Sequence, residues 1–115
     1  MKYNGSCHCG AIRFEAEVDL EKTITCNCSY CSRRGFILTA VPGDQFTLLT
    51  PDAPMTEYRF NTHKIKHEFC PVCGLEPFAS GTDKEGNPMY MVNVRCLEDV
   101  DIESLHPMPV NGKDF

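Results

Sequence analysis

A small, mostly-β fold is the class the sequence predicts, and three observations predict it. Its apolar runs are short, and either alternate with polar residues or are β-branched. Its eight glycines and eight prolines are spread so widely that few windows admit a helix of more than two turns. Seven of its eight cysteines fall in tight groups between those runs. Many short strands punctuated by Gly and Pro point to a sandwich or barrel. With 115 residues, the chain has the size of one domain, taken as 1–115. At that size only about two thirds of the unfolded surface is buried, so a cross-link adds needed stability.

The elements follow in order. Residues 11–18 (Ala-Ile-Arg-Phe-Glu-Ala-Glu-Val) alternate with period two, as a half-buried strand does. Ser29 to Arg34 has room for one short helical turn. Residues 36–41 form an apolar, partly β-branched run stopped by Pro42-Gly43, and residues 46–49 form another before Pro51 and Pro54. Residues 56–60 and 67–69 read as two further strands. Residues 83–88 are a turn leading to the strongest late strand, 89–94. The tail from Leu105, with His106-Pro107-Met108-Pro109, is expected to lie extended on the surface.

Charge and hydropathy narrow the function. The net charge is −5, the 11 basic residues are scattered, and Glu98, Asp99, Asp101 and Glu103 form an acidic cluster. Nucleic-acid binding needs clustered Lys and Arg to neutralise phosphates, so nucleic acid is not the expected partner. No apolar run approaches the ~20 residues of a membrane helix, and no secretory signal follows Met1. A cytoplasmic location is therefore expected, where grouped cysteines serve as metal or redox groups more often than as disulfides.

The cysteines sort into two sets. Cys7-His8-Cys9-Gly10 and Cys70-Pro71-Val72-Cys73-Gly74 each end in glycine directly after the second cysteine. A zinc knuckle must turn sharply while backbone N–H groups face the sulfurs, and glycine reaches φ > 0 without steric cost. Two knuckles supply four thiolates, the complement of a closed tetrahedral site. A thioredoxin-like role for Cys70 and Cys73 lacks the surrounding βαβ pattern. The second set is Cys26, Cys28 and Cys31, three thiols within six residues. Three ligands with an exchangeable fourth position is the pattern of a reactive zinc site. His8, His63, His67 or Cys96 could instead close it, and spacing alone does not forbid exchange of ligands between the sets.

Taken in order, Cys7-x-Cys9-Gly10, Cys26-x-Cys28-x-x-Cys31-Ser32-Arg33-Arg34, Phe69-Cys70-x-x-Cys73-Gly74-x-x-Pro77-Phe78 and Val92-Asn93-Val94-Arg95-Cys96-Leu97 resemble the glutathione-dependent formaldehyde-activating enzyme family, which includes the centromere protein V domain. The resemblance spans nearly the whole chain. It implies a small β-tent fold with few short helical turns and two zinc ions. By motif it makes Cys7, Cys9, Cys70 and Cys73 ligands of a structural zinc. Cys26, Cys28 and Cys31 become ligands of a catalytic and more labile zinc. The activity it implies is a carbon–sulfur lyase reaction run in reverse, joining glutathione to formaldehyde as S-(hydroxymethyl)glutathione.

A free thiol has a pKa of about 8.5, and coordination by zinc deprotonates it at neutral pH. Glutathione is thus expected as a thiolate co-substrate that attacks an aldehyde carbon. Arg33 and Arg34, directly after Cys31, are the first candidates to bind its carboxylates, with Arg95, Lys64 and Lys66 second. His67 is a candidate proton shuttle or partner of a site residue, and His8 is expected to face outward. Tyr30 is expected to pack, and Cys96 to be a small buried hydrophobe. The alternative to an enzyme is a zinc-stabilised binding module that carries glutathione or contacts a protein or chromatin partner. The sequence contains no heptads or apolar stripe to specify an oligomer.

Overall fold

The computed structural model describes residues 1–60 and 64–114. Among the described residues the strands are β1 (Lys2–Ser6), β2 (Arg13–Glu17), β3 (Ile24–Cys26), β4 (Leu38–Pro42), β5 (Phe46–Leu48), β6 (Thr56–Tyr58), β7 (Lys66–Phe69), β8 (Phe78–Thr82), β9 (Pro88–Asn93) and β10 (Met108–Val110), with one α-helix, α1 (Ser29–Arg34), and short 3-10 turns. They form a three-stranded sheet, β1-β2-β5, and a seven-stranded sheet, β10-β3-β4-β9-β8-β7-β6. Every pairing between neighbouring strands is antiparallel except β10 with β3. The mostly-β expectation holds, realised as two unequal sheets.

Alternation along β2 sets the core. Phe14 and Ala16 are buried while Arg13 and Glu17 are exposed, so one face of the small sheet is apolar. Phe14 stacks on Phe46 of β5 with ring centroids 5.3 Å apart. Phe46 in turn stacks on Tyr90 of β9 at 4.0 Å and meets Phe78 of β8 edge-on at 4.9 Å. These rings join the sheets across one apolar cluster that also holds Val41, Val92, Cys7 and Cys70. Two members of the first cysteine set, Cys7 and Cys70, are therefore anchored in the core, while Cys73 is half-buried and Cys9 exposed.

Gly5 of β1 sits opposite Phe14 in the ladder, and a Cβ there would overlap the Phe14 ring. Gly5→Ala is expected to push that ring out of place. Overpacking of this kind costs about 1–3 kcal/mol, which should lower Tm by at least roughly 4 °C in thermal unfolding; an unchanged Tm would mean that the ring has another place to go.

The tail does lie extended, but as a sheet member. β10 runs parallel to β3 with Val110 opposite Cys26. It is an edge strand, which is where Pro109 is tolerated. Strand pairing thus brings the C-terminal segment against the second cysteine set.

Candidate metal centres

The two knuckles share one backbone design. Cys7 N–H donates to Ile12 O and Cys70 N–H to Leu75 O, each at 3.0 Å. Gly10 and Gly74, at φ 83° and 77°, occupy the left-handed region that glycine alone enters freely. The turns aim amides at sulfur: Ile12 N–H at Cys7 Sγ over 3.4 Å and Cys73 N–H at Cys70 Sγ over 3.5 Å. Amides of Cys9 and Leu75, facing Cys73, lower its thiol pKa to about 6.

The sulfurs of Cys7, Cys9, Cys70 and Cys73 lie within 4.8 Å of one another and could hold a metal ion. Four sulfurs about 2.3 Å from one zinc are about 3.8 Å apart in a tetrahedron. Cys7 Sγ and Cys9 Sγ are 3.7 Å apart, and Cys9 Sγ and Cys70 Sγ 3.6 Å. The donor set fits zinc in number, chemistry and spacing.

The second group is built at the junction of β3 and α1. Cys26 ends β3, Cys28 is the N-cap of α1, and Cys31 is the buried residue of its single turn. Cys28 has the extended backbone of a cap, and its sulfur accepts from Cys31 N–H at 3.3 Å. Burial opposes ionisation of Cys28, but bonds from the Cys31 amide and neighbouring thiols prevail and its pKa falls. Burial raises that of Cys31. The three sulfurs lie within 4.8 Å of one another and could hold an ion.

Among the described residues no fourth side chain joins this group. His8 is exposed, and His63 lies outside the described residues. Cys96 is buried and held up at about 12, by desolvation first and then by Cys7, Cys73 and Glu76. His67 is buried and committed elsewhere: its Nδ1 is 2.9 Å from Glu76 Oε2. Glu76 Oε1 accepts from the Tyr30 hydroxyl at 2.5 Å, and Glu76 O accepts from Asn93 Nδ2 at 3.0 Å. Desolvation and this carboxylate push Tyr30 up to about 12. A carboxylate exposed to only 2 % is costly unless bonded on both oxygens, and here it is. Sequence reasoning missed Glu76; the available signal was an acid set between Leu75 and Pro77-Phe78-Ala79 in an apolar stretch.

Two cavities meet at the second group. An outer cleft of about 630 Å³ is lined by Cys26, Cys31, Ser32, Arg95 and Asn111, among others. An inner chamber of about 160 Å³ is lined by Cys26, Cys31, His67 and Glu76 together with apolar side chains. The C-terminal segment crosses here: Asn27 Nδ2 donates to Asn111 Oδ1 at 2.7 Å and Lys113 N–H donates to Asn27 Oδ1 at 3.0 Å. Gly112 passes so close that a Cβ on it would overlap Cys26 Sγ.

Arg33 and Arg34 border a different hollow, with Tyr30, Tyr58 and Phe60. Arg33 donates to Ser29 O at 2.8 Å. Arg34 donates to Gly74 O at 3.0 Å, its guanidinium 5.4 Å from the centroids of both Tyr30 and Phe69. It therefore ties the helix of the second group to the knuckle of the first. Arg95 donates to Gly35 O at 3.1 Å from the wall of the outer cleft. Lys64 and Lys66 are exposed.

The sequence model of the glutathione-dependent formaldehyde-activating enzyme family matches residues 2–109. A crystal structure of a Rhodobacter sphaeroides protein is similar over 92% of this chain and 97% of that one, with 32% identity and a TM-score of 0.79. With the motif cysteines gathered into two sulfur clusters and the family match running from the first strand to the last, the chain belongs to the glutathione-dependent formaldehyde-activating enzyme family.

Proposed function

We propose that the protein is a zinc-dependent carbon–sulfur lyase-type enzyme of the S-(hydroxymethyl)glutathione synthase kind, with glutathione or another small thiol as co-substrate. The observation that carries this reading is the three-sulfur group, whose Cys26 and Cys31 border two cavities. Two zinc ions per chain are proposed. Cys7, Cys9, Cys70 and Cys73 would hold a structural ion, and Cys26, Cys28 and Cys31 one with a position left for exchange. Zinc bound there supplies a sulfur ligand deprotonated at neutral pH.

The chain's own residues do the rest. The outer cleft has the room and mixed polarity for a tripeptide, and Arg95 in its wall is the cation for one carboxylate. Arg33 and Arg34, on the helix that bears Cys31 but bordering the neighbouring hollow rather than this cleft, are proposed to reach the other from there. Three thiolates on a dication carry a net −1, so these cations also offset the site's charge. Replacing Arg33 and Arg34 together by Ala should weaken glutathione binding at least tenfold, on the scale of about 1.5 kcal/mol for a hydrogen bond to a charged group; calorimetric affinity equal to wild type would remove both from the site.

The experiment for the reaction is exchange NMR of glutathione and formaldehyde with protein of measured zinc content. Acceleration of adduct formation and breakdown by protein holding two zincs is the expected result. Binding of glutathione without acceleration would make the protein a carrier or interaction module, and salt-sensitive DNA binding would favour a chromatin role.

A further inference from the structure

The inner chamber is larger than one carbon requires. Among the described residues its apolar wall is Ile24, Phe36, Leu38, Ile65, Ala79, Met91 and Val110. Its volume of about 160 Å³ is close to that of a dry protein cavity that takes benzene, about 150 Å³. A formaldehyde-derived group would leave most of it to water, which this wall could scarcely hydrogen-bond. His67 and Glu76 also border the chamber, paired with each other through Nδ1 and Oε2. An apolar chamber opening beside two sulfurs suits the hydrocarbon group of a carbonyl compound.

Resting on the reading that a thiol adduct is made at these sulfurs, we propose that the chamber holds the carbonyl partner, and that this partner is an apolar aldehyde of about four to six carbons. In the step, the thiol sulfur bonds to the carbonyl carbon and the C=O π pair moves to oxygen. The proton lost by sulfur ends on that oxygen. The lyase direction reverses each change, so no further reactant is needed. The peptide of the thiol stays in the outer cleft, which Cys26 and Cys31 also border.

The test uses unreactive thioethers, S-methyl-, S-propyl-, S-pentyl- and S-decylglutathione, titrated calorimetrically into the zinc-loaded protein. Affinity is expected to rise about fourfold per methylene up to about five carbons, then level off. Ala79→Leu, adding bulk inside the chamber, should flatten the series while S-methylglutathione binds as to wild type. If that variant does not fold, Ile65→Trp at the rim, where Ile65 is 45% exposed, serves the same purpose. Turnover should show pentanal preferred over formaldehyde in kcat/KM by at least tenfold. A flat series on wild type with intact glutathione binding, or a preference for formaldehyde, overturns the chamber assignment alone. Failure of glutathione and every derivative to bind overturns the enzymatic reading beneath it.

Discussion

Cys70→Ser is expected to leave the protein unfolded at ordinary temperature, the largest effect of any single substitution considered. Cys70 has no exposed surface and packs in the same cluster as Phe14, Phe78 and Val92. Its sulfur closes a link to Cys9, 61 residues earlier in the chain. Treated as a cross-link, closing a loop of that length is worth about 4 kcal/mol in unfolded-state entropy. The structural zinc proposed there would add to this, since such an ion in small domains contributes about 10–16 kcal/mol of apparent folding free energy. A domain whose whole stability is about 5–15 kcal/mol does not survive losing that. Circular dichroism should show no cooperative melting for the variant, and a strong chelator should have the same effect on the wild type. A variant melting curve that overlays the native one would show that the first sulfur cluster does not hold the fold together.

How much of this was legible in the residues depended on whether the determining interactions were local. β2 carried its own pattern, because one face packs on the core and alternation records that, while β9, an inner strand of the large sheet, showed as a continuous apolar run. The turn of α1 was bounded by Cys28 as cap and by Gly35, whose amide bonds back to Cys31 O and Ser32 O. The cysteine sets were legible because ligand spacing and the glycine after each knuckle are local requirements of metal geometry. β8, in contrast, reads Phe-Ala-Ser-Gly-Thr, a weak strand former. Hydrogen bonding to β7 on one side and β9 on the other makes it a strand, a tertiary decision that propensity does not record. β1 and β3 are likewise short, with little pattern of their own, and β10 hides its pairing behind a proline. The Tyr30–Glu76–His67 chain joins three separate segments, so no window of sequence could display it. The same holds for Arg34, whose reach to Gly74 is visible only once both cysteine loops are folded together.

Cys28→Ser should give the opposite outcome to Cys70→Ser: a folded protein with an inactive site. Cys28 is the N-cap of α1 and, as proposed above, a zinc ligand, two roles that its position lets one separate. As N-cap of α1 its side chain accepts from the Cys31 amide, and serine is among the best residues for that duty. The cap should therefore persist and Tm should fall by no more than roughly 4 °C, the equivalent of about 1 kcal/mol or less. As a metal ligand the replacement is poor, because a hydroxyl is not ionised at neutral pH and thiolate softness is what a zinc–sulfur site selects for. Loss of one of only three protein ligands should reduce zinc from near two per chain to near one by elemental analysis. Adduct turnover should then drop by at least about a hundredfold, a loss at the upper end of that seen when even an outer partner of a metal ligand is removed. The first cluster, with its own four sulfurs, should keep its ion. Retention of two zincs and full turnover would mean that chemistry does not need this group, whereas unfolding would mean that the three-sulfur loop is a second staple rather than an active centre.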